Sequence, residues 1–228
     1  IQKETIHQST CGDWYMYRAD MITASNFCTI CNKRETTSCA GIVKSIRFSP
    51  PLNTESILFG KENGKKGKEN AIRELEQLIK KKIEPCGLFI DKNLEFLGAS
   101  PDGLIDSDGI VEIKCLASAK HLTPVEAIEK NPQHRSIFNK NNKNKMNTTH
   151  KYYYQVQGQL HITERNYCLF AIWTPLGLKH IKVLKDDTFW NNKMEIKLTR
   201  FFYDCLLPEI IDSKLARKMP IRNPDYIL

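Results

Sequence analysis

Two acidic side chains and one lysine fall close together in the middle of this chain. Ser100-Pro101-Asp102-Gly103 is followed, past the turn signal Asp106-Ser107-Asp108-Gly109, by Ile110-Val111-Glu112-Ile113-Lys114-Cys115. Alternate residues of a strand share a face, so Glu112 and Lys114 project together while Val111, Ile113 and Cys115 enter an apolar layer. Asp102 enters the preceding hairpin strand, and the turn can bring it beside Glu112. Two adjacent carboxylates repel unless a cation lies between them, and hard oxygen ligands suit Mg²⁺ or Mn²⁺. Such an ion polarises a phosphodiester oxygen, generates a hydroxide nucleophile and stabilises the leaving oxygen, with Lys114 placed to orient or deprotonate the attacking water. The chemistry is that of metal-dependent phosphodiester hydrolysis. A surface hairpin with a salt bridge would carry the same three residues, so by themselves they leave both readings open. A second Glu-x-Lys, Glu195-Ile196-Lys197, falls in a predicted helix, where residues two apart do not face each other, and it lacks an upstream turn aspartate.

The elements that must position these residues follow from periodicity and turn chemistry. Strands are predicted at 86–90, 94–99, 104–105 and 110–115, a small meander divided by Asp91-Lys92-Asn93, Pro101-Asp102-Gly103 and the turn at 106–109. Thr23 or Ser25 caps a short helix carrying Phe27, Ile30 and Cys31. One or two helices are predicted between 54 and 82, interrupted by the Gly- and Lys-rich stretch 60–67. Thr123-Pro124 opens a helix reaching Lys130. The Asn- and Lys-rich segment 138–146 has almost nothing to bury and reads as a mobile basic loop. A helix at 152–162, a strand pair at 167–174 and 178–184, and a long helix over 188–206 that continues beyond Pro208 complete the chain. The sum is an α/β fold with a mixed central β-sheet flanked by helices, in one domain over 1–228 whose segments 1–10 and 138–148 are expected to be flexible.

Composition narrows the function classes. Thirty-four Lys and Arg against 26 Asp and Glu give +8, which favours polyanions such as nucleic acid or an acidic membrane surface. No apolar run approaches the roughly 18–20 residues of a membrane span, so a transmembrane protein is excluded. Eight cysteines spread over 228 residues do not resemble a disulfide scaffold and point to a reducing, intracellular compartment, nucleus or cytoplasm. The opening Ile1-Gln2-Lys3 reads as the start of an excised domain.

The Asp102, Glu112 and Lys114 segment resembles the PD-(D/E)xK nuclease motif, and more narrowly the lambda-exonuclease-like (YqaJ-type) viral recombinase family, whose Ser-Pro-Asp-Gly and Glu-x-Lys-Cys blocks have this order and spacing. Three further blocks are similar: Arg18-Ala19-Asp20-Met21-Ile22-Thr23-Ala24-Ser25, Gly67-Lys68-Glu69-Asn70 and Tyr152-Tyr153-Tyr154-Gln155-Val156-Gln157. The resemblance spans roughly 14–174 and implies a restriction-endonuclease-like core that removes nucleotides from a 5′-phosphorylated end of double-stranded DNA, 5′ to 3′, in recombination or repair. It implies that Asp102, Glu112, Glu69 and the Ile113 carbonyl hold Mg²⁺ or Mn²⁺, that Lys114 handles the water and that Gln155 assists. Arg18 and Ser25 are then the grip on the terminal phosphate, Tyr152 shares the Gln155 face, and Lys33 and Arg34 line the DNA entrance. Glu69 follows Gly67 by two residues, whereas relatives usually space this carboxylate by about four, so Glu62 and Glu74 stay open as substitutes. A single-strand annealing protein and a homo-oligomer are the partners that such a family admits. No membrane partner is expected.

The residues also admit rivals. The nuclease core can serve an endonuclease. A non-catalytic, zinc-stabilised nucleic-acid-binding module would use Cys28, Cys31 and Cys39 with His7 or Cys11, although Cys28 and Cys31 fall in a predicted helix among apolar neighbours.

Overall fold

The computed structural model describes residues 1–8, 11–48, 55–116 and 119–227, with 55–65 described by their backbone alone. In chain order the elements are α1 (Gly12–Arg18), β1 (Ile22–Thr23), a 3₁₀ turn (Ala24–Asn26), α2 (Phe27–Cys31), α3 (Ala40–Arg47), α4 (Glu55–Ile79), β2 (Phe89–Ile90), β3 (Leu97–Ala99), β4 (Gly103–Ile105) and β5 (Gly109–Cys115). Then follow α5 (Pro124–Lys130), α6 (Pro132–Arg135), α7 (Lys151–Ile162), β6 (Tyr167–Thr174) and β7 (Gly177–Leu184). The C-terminal run holds α8 (Asp187–Phe189), α9 (Ile196–Phe201) and α10 (Leu207–Ile211), separated by π-helical turns Trp190–Glu195 and Phe202–Leu206. The long helix read from the sequence is therefore wound loosely at two places. The second π turn runs into Pro208, which has no N–H to give the preceding turn.

The meander divides between two mixed sheets. β1 pairs parallel and β2 antiparallel with β3, in the order β1-β3-β2; the larger sheet runs β4-β5-β6-β7. The chain changes sheets at Pro101, a residue that cannot donate to a ladder. β5 is antiparallel to β4 and parallel to β6, with Glu112 opposite Phe170. Parallel pairing demands a long crossover, and α5, α6 and α7 supply it.

Each face of β5 rests on its own helix. Val111 and Ile113 pack with Ala71 and Leu75 of α4, while Ile110 on the other face packs with Val156 and Leu160 of α7. Each such large side chain removed from water stabilises the fold by about 1.5–3 kcal/mol. α4 runs unbroken through the glycines expected to interrupt it. Docking along fully buried Ala71 and Leu75 outweighs the roughly 1 kcal/mol that each helical glycine costs. Gly67 also serves the packing, because a Cβ there would meet the Trp173 ring at 3.1 Å and Cys115 Sγ at 3.2 Å. α7 is buried on almost every side, between the larger sheet and a second core built on α2, β3 and the C-terminal helices.

The basic segment after α6 buries both of its ends. Phe138 and Met146 bridge to each other and enter the α7 core, and Lys143 pairs with Glu129 at 2.5 Å. All eight cysteines are free of disulfides. Among the described residues no helix is long and apolar enough to cross a membrane.

A Cβ on Gly158 of α7 would lie 2.3 Å from two ring carbons of Phe27, a closer approach than packing allows. Gly158→Ala is expected to lose about 1–3 kcal/mol of stability by forcing α7 away from Phe27, as overpacked cores do. Urea unfolding of the two proteins side by side measures the loss.

Candidate active site

Glu112 lies on the α7 face of β5 and is buried. Its Oε1 accepts from Lys114 Nζ at 2.5 Å and from Gln155 Nε2 at 2.8 Å, and its Oε2 accepts from Gln159 Nε2 at 2.7 Å. Gln155 and Gln159 stand one turn apart on α7, the spacing that puts two side chains on one helix face. Gln155 Oε1 also accepts from Lys114 at 3.1 Å, so glutamate, lysine and glutamine close a small hydrogen-bonded ring. The Lys114 ammonium sits 4.6 Å from the centre of the Tyr152 ring, in cation–π contact.

Asp102 is fixed from three directions. Its N–H donates to the Val111 carbonyl at 2.9 Å, its Oδ2 accepts from the Ile113 N–H at 2.7 Å, and its Oδ1 accepts from Lys68 Nζ of α4 at 2.5 Å. The β4–β5 hairpin that sets this register is clamped by Arg165, whose guanidinium donates to the Asp106 and Gly109 carbonyls. Asp106 takes the left-handed turn conformation, φ 48°. The predicted juxtaposition of Asp102, Glu112 and Lys114 is thus made by strand alternation plus one hairpin turn.

Electrostatics follow from burial. Desolvation, helped by the charge of Glu112, pushes the Asp102 carboxyl above the usual carboxylate range. Desolvation works the same way on Glu112, but Lys114 and Lys68 outweigh it and hold that carboxyl low. Burial would lower the Lys114 ammonium; Glu112 and Asp102 reverse this and keep it charged.

The same pocket, about 240 Å³, reaches from this cluster to Arg18 and Ser25, with Trp14, Thr23, Ser100 and Gln8 among its walls. The Arg18 guanidinium lies 3.9 Å from the Trp14 ring centre and donates to Thr23 Oγ1 at 3.4 Å. Burial pushes its pKa down to about 10, which leaves it cationic at neutral pH. Trp14 is held by its own bond from Nε1 to Ser100 Oγ at 3.0 Å, and the Thr23 and Ser25 hydroxyls lie 3.2 Å apart. Arg18 ends α1 and Ser25 follows β1, so an otherwise remote N-terminal block is carried to the carboxylates by the β1–β3 pairing.

Two sequence-derived positions lie elsewhere. Glu69 is exposed and outside the pocket walls, because one residue along α4 turns a side chain about 100° from Lys68. Arg34 is exposed beyond α2, and Lys33 beside it donates to the Arg34 and Thr37 carbonyls instead of facing the pocket. Glu62 lies where side chains are not described, and Glu74 accepts from Trp173 Nε1 at 3.1 Å. The second Glu-x-Lys is split as expected: Glu195 accepts from Trp190 and Lys197 donates to the Cys31 carbonyl.

Lys68, Gln159, Trp14, Thr23 and Ser100 also line the pocket, with no site role assigned from the sequence. Only Gln159 carried a signal, its four-residue spacing from Gln155. Its Oε1 is buried without a partner, an acceptor directed at no protein donor.

The donor set suits one hard cation. Mg²⁺ is commonly held by one or two carboxylates, waters and substrate phosphate, and Asp102 with Glu112 meets that demand. Among the described residues no group of three or more His, Cys, Asp or Glu is assembled, so neither a zinc site at Cys28, Cys31 and Cys39 nor a three-carboxylate site forms.

No curated protein matches the sequence. The fold is similar to the alkaline exonuclease LHK-Exo from Laribacter hongkongensis, with 20% identity over 90% of this chain and 96% of that one, TM-score 0.62. Against LHK-Exo in complex with dAMP the values are 20%, 90%, 97% and 0.66. A phage-related exonuclease from Haemophilus somnus 129PT matches at 13% identity over 83% of this chain and 96% of its own, TM-score 0.56. A SOX–DNA complex matches at 12% identity over 96% of this chain and 72% of that one, TM-score 0.56. These likenesses show a fold shared with these exonucleases. Residues 13–166, which carry every block described above, match the YqaJ-like viral recombinase domain, and the chain belongs to that family.

Proposed function

We propose that this protein is a metal-dependent DNA exonuclease that degrades double-stranded DNA from a 5′-phosphorylated end, 5′ to 3′, in recombination-type end processing. The observation that carries the reading is the single pocket lined by Asp102, Glu112 and Lys114 and also by Arg18 and Ser25: a hydrolytic cluster and an anion grip share one cavity. Family membership and the likeness to exonuclease folds support it. The DNA in the SOX complex supports a nucleic-acid substrate. The +8 charge would add salt-sensitive, sequence-independent affinity.

Asp102, Glu112 and the Ile113 carbonyl would hold Mg²⁺ or Mn²⁺, which when bound supplies Lewis-acid stabilisation to the phosphodiester. The remaining work belongs to the protein. Arg18 offers a planar two-pronged donor to the terminal phosphate, already oriented by Trp14 and Thr23, and the Ser25 hydroxyl adds a further donor. Lys114, held charged between Glu112, Gln155 and the Tyr152 ring, orients the attacking water and stabilises the negative charge that develops on it. Gln155 and Gln159 keep the Glu112 carboxylate in one orientation. A reduced, nucleus- or cytoplasm-like compartment suits the free thiols, and the 3′ strand left by such digestion is the substrate a single-strand annealing protein would take.

The test compares 5′-phosphorylated linear, 5′-hydroxyl linear and closed circular duplexes with Mg²⁺. The phosphorylated linear duplex is expected to be digested fastest and the circle not at all. Arg18→Ala is expected to abolish the preference for phosphate over hydroxyl ends, at a cost of about 10-fold or more on the phosphorylated substrate, as loss of a charge-assisted contact implies. Cleavage of circles would make the protein an endonuclease. An unchanged end preference in Arg18→Ala would remove that residue from the grip.

A further inference from the structure

We infer that Lys68 is a built-in cation of the active site that takes the Asp102 oxygen a second divalent ion would need, so that the pocket accepts one divalent ion and not two. The inference deepens the reading above and rests on it. Paired divalent ions about 3.5–4 Å apart are a common nuclease arrangement, and each member requires carboxylate oxygens of its own. Among the described residues the carboxylates within reach are Asp102 and Glu112, and Lys68 and Lys114 each cover one oxygen of one of them at 2.5 Å.

Two negative and two positive side chains make the pocket's inner wall formally neutral, where a two-ion site would be built with an excess of carboxylate. α4 packs beside the cluster, and among its described side chains it presents Lys68 to the pocket while the neighbouring Glu69 faces solvent. The register is fixed by packing: Gly67 lies against Trp173 and Cys115, and Ala71, three residues beyond Lys68, is fully buried against the sheet. Turning α4 by one residue to bring Glu69 inward would expose Ala71 and drive Lys68 into the place of Gly67 against Trp173 and Cys115.

The ammonium is a weaker substitute than an ion in one respect and a better one in another. It cannot activate water by coordination, but its position is covalently tethered and costs no binding equilibrium. Asp102 Oδ2 is occupied by the Ile113 N–H, and two of the three donors to Glu112 are neutral glutamine amides. One ion can therefore take oxygen from both carboxylates while Lys68 remains on Asp102 Oδ1.

The experiment is a Mn²⁺ titration of the intact chain without DNA, followed by calorimetry and by the electron paramagnetic resonance of free Mn²⁺, on wild type, Lys68→Glu and Glu69→Gln. Wild type is expected to bind one Mn²⁺ and Glu69→Gln also one. Lys68→Glu, with a third carboxylate in the pocket, is expected to bind two, the closely spaced pair showing as broadening of the bound-ion spectrum. Two ions on wild type, falling to one in Glu69→Gln, would overturn the assignment while leaving the nuclease reading intact. No Mn²⁺ on wild type would overturn both. Should Lys68→Glu fail to fold, the wild-type and Glu69→Gln stoichiometries decide the matter alone.

Discussion

Lys114→Ala is expected to slow hydrolysis of a 5′-phosphorylated duplex by about 10²–10³-fold, the usual worth of a preorganised donor at a developing charge, while DNA affinity changes only a few-fold. The expectation is selective because the truncation leaves its neighbours in place. Glu112 still accepts from Gln155 at 2.8 Å and from Gln159 at 2.7 Å, and Arg18 and Ser25 do not touch Lys114. Lys114→Arg should recover little of the rate. The guanidinium keeps the charge, but its planar fork does not fit the point contact between Glu112, Gln155 and the Tyr152 ring. Single-turnover cleavage and filter binding on the three proteins check this. A rate within 10-fold of wild type for Lys114→Ala would remove the lysine from the chemistry.

Glu112→Ala is expected to lower folding stability by about 3–5 kcal/mol, because removing one partner of a buried charged pair strands the rest. Lys114 Nζ and the amide groups of Gln155 and Gln159 all donate to Glu112, and without it Lys114 keeps only the longer bond to Gln155 Oε1 at 3.1 Å. Glu112→Gln should cost less, about 1.5–3 kcal/mol, because the hydrogen bonds can survive while Lys114 loses its counter-charge. Its oxygen can serve Lys114 and Gln155, and its amide can donate to Gln159 once that side chain flips and turns its partnerless Oε1 toward it. Urea unfolding of both variants tests the network. Equal losses in the two would show that the Gln159 flip does not occur. Both variants should lack nuclease activity, since neither restores the carboxylate.

How much of this was legible in the sequence depends on how local the cause is. Asp102, Glu112 and Lys114 come together through strand alternation and one hairpin turn, both written in neighbouring residues. α7 and the β6–β7 pair follow the same logic, and their predicted and observed limits differ by a residue. The split of the strands into two sheets has a local cause at Pro101, yet a single meander satisfies the same alternation. α4 was masked by its glycines, since propensity registers their cost and not the tertiary contacts of Ala71 and Leu75 that outweigh it. Lys68 and Glu69 are adjacent in sequence and differ only in helical phase, which those same contacts fix. Trp14 and Ser100 are far apart in the chain and meet through a bond that no pattern encodes.

The proposed activity requires a cation held by Asp102 and Glu112 beside a gripped DNA end. The measurement is release of mononucleotides from a 5′-phosphorylated linear duplex by chelator-treated protein before and after addition of Mg²⁺, for wild type and Asp102→Asn. No product is expected before the addition, with steady release from wild type after it and at least about 10²-fold less from Asp102→Asn, on the scale of a lost transition-state charge contact. Release by wild type in the presence of chelator, or release by Asp102→Asn at the wild-type rate, would show that the cation is not held there.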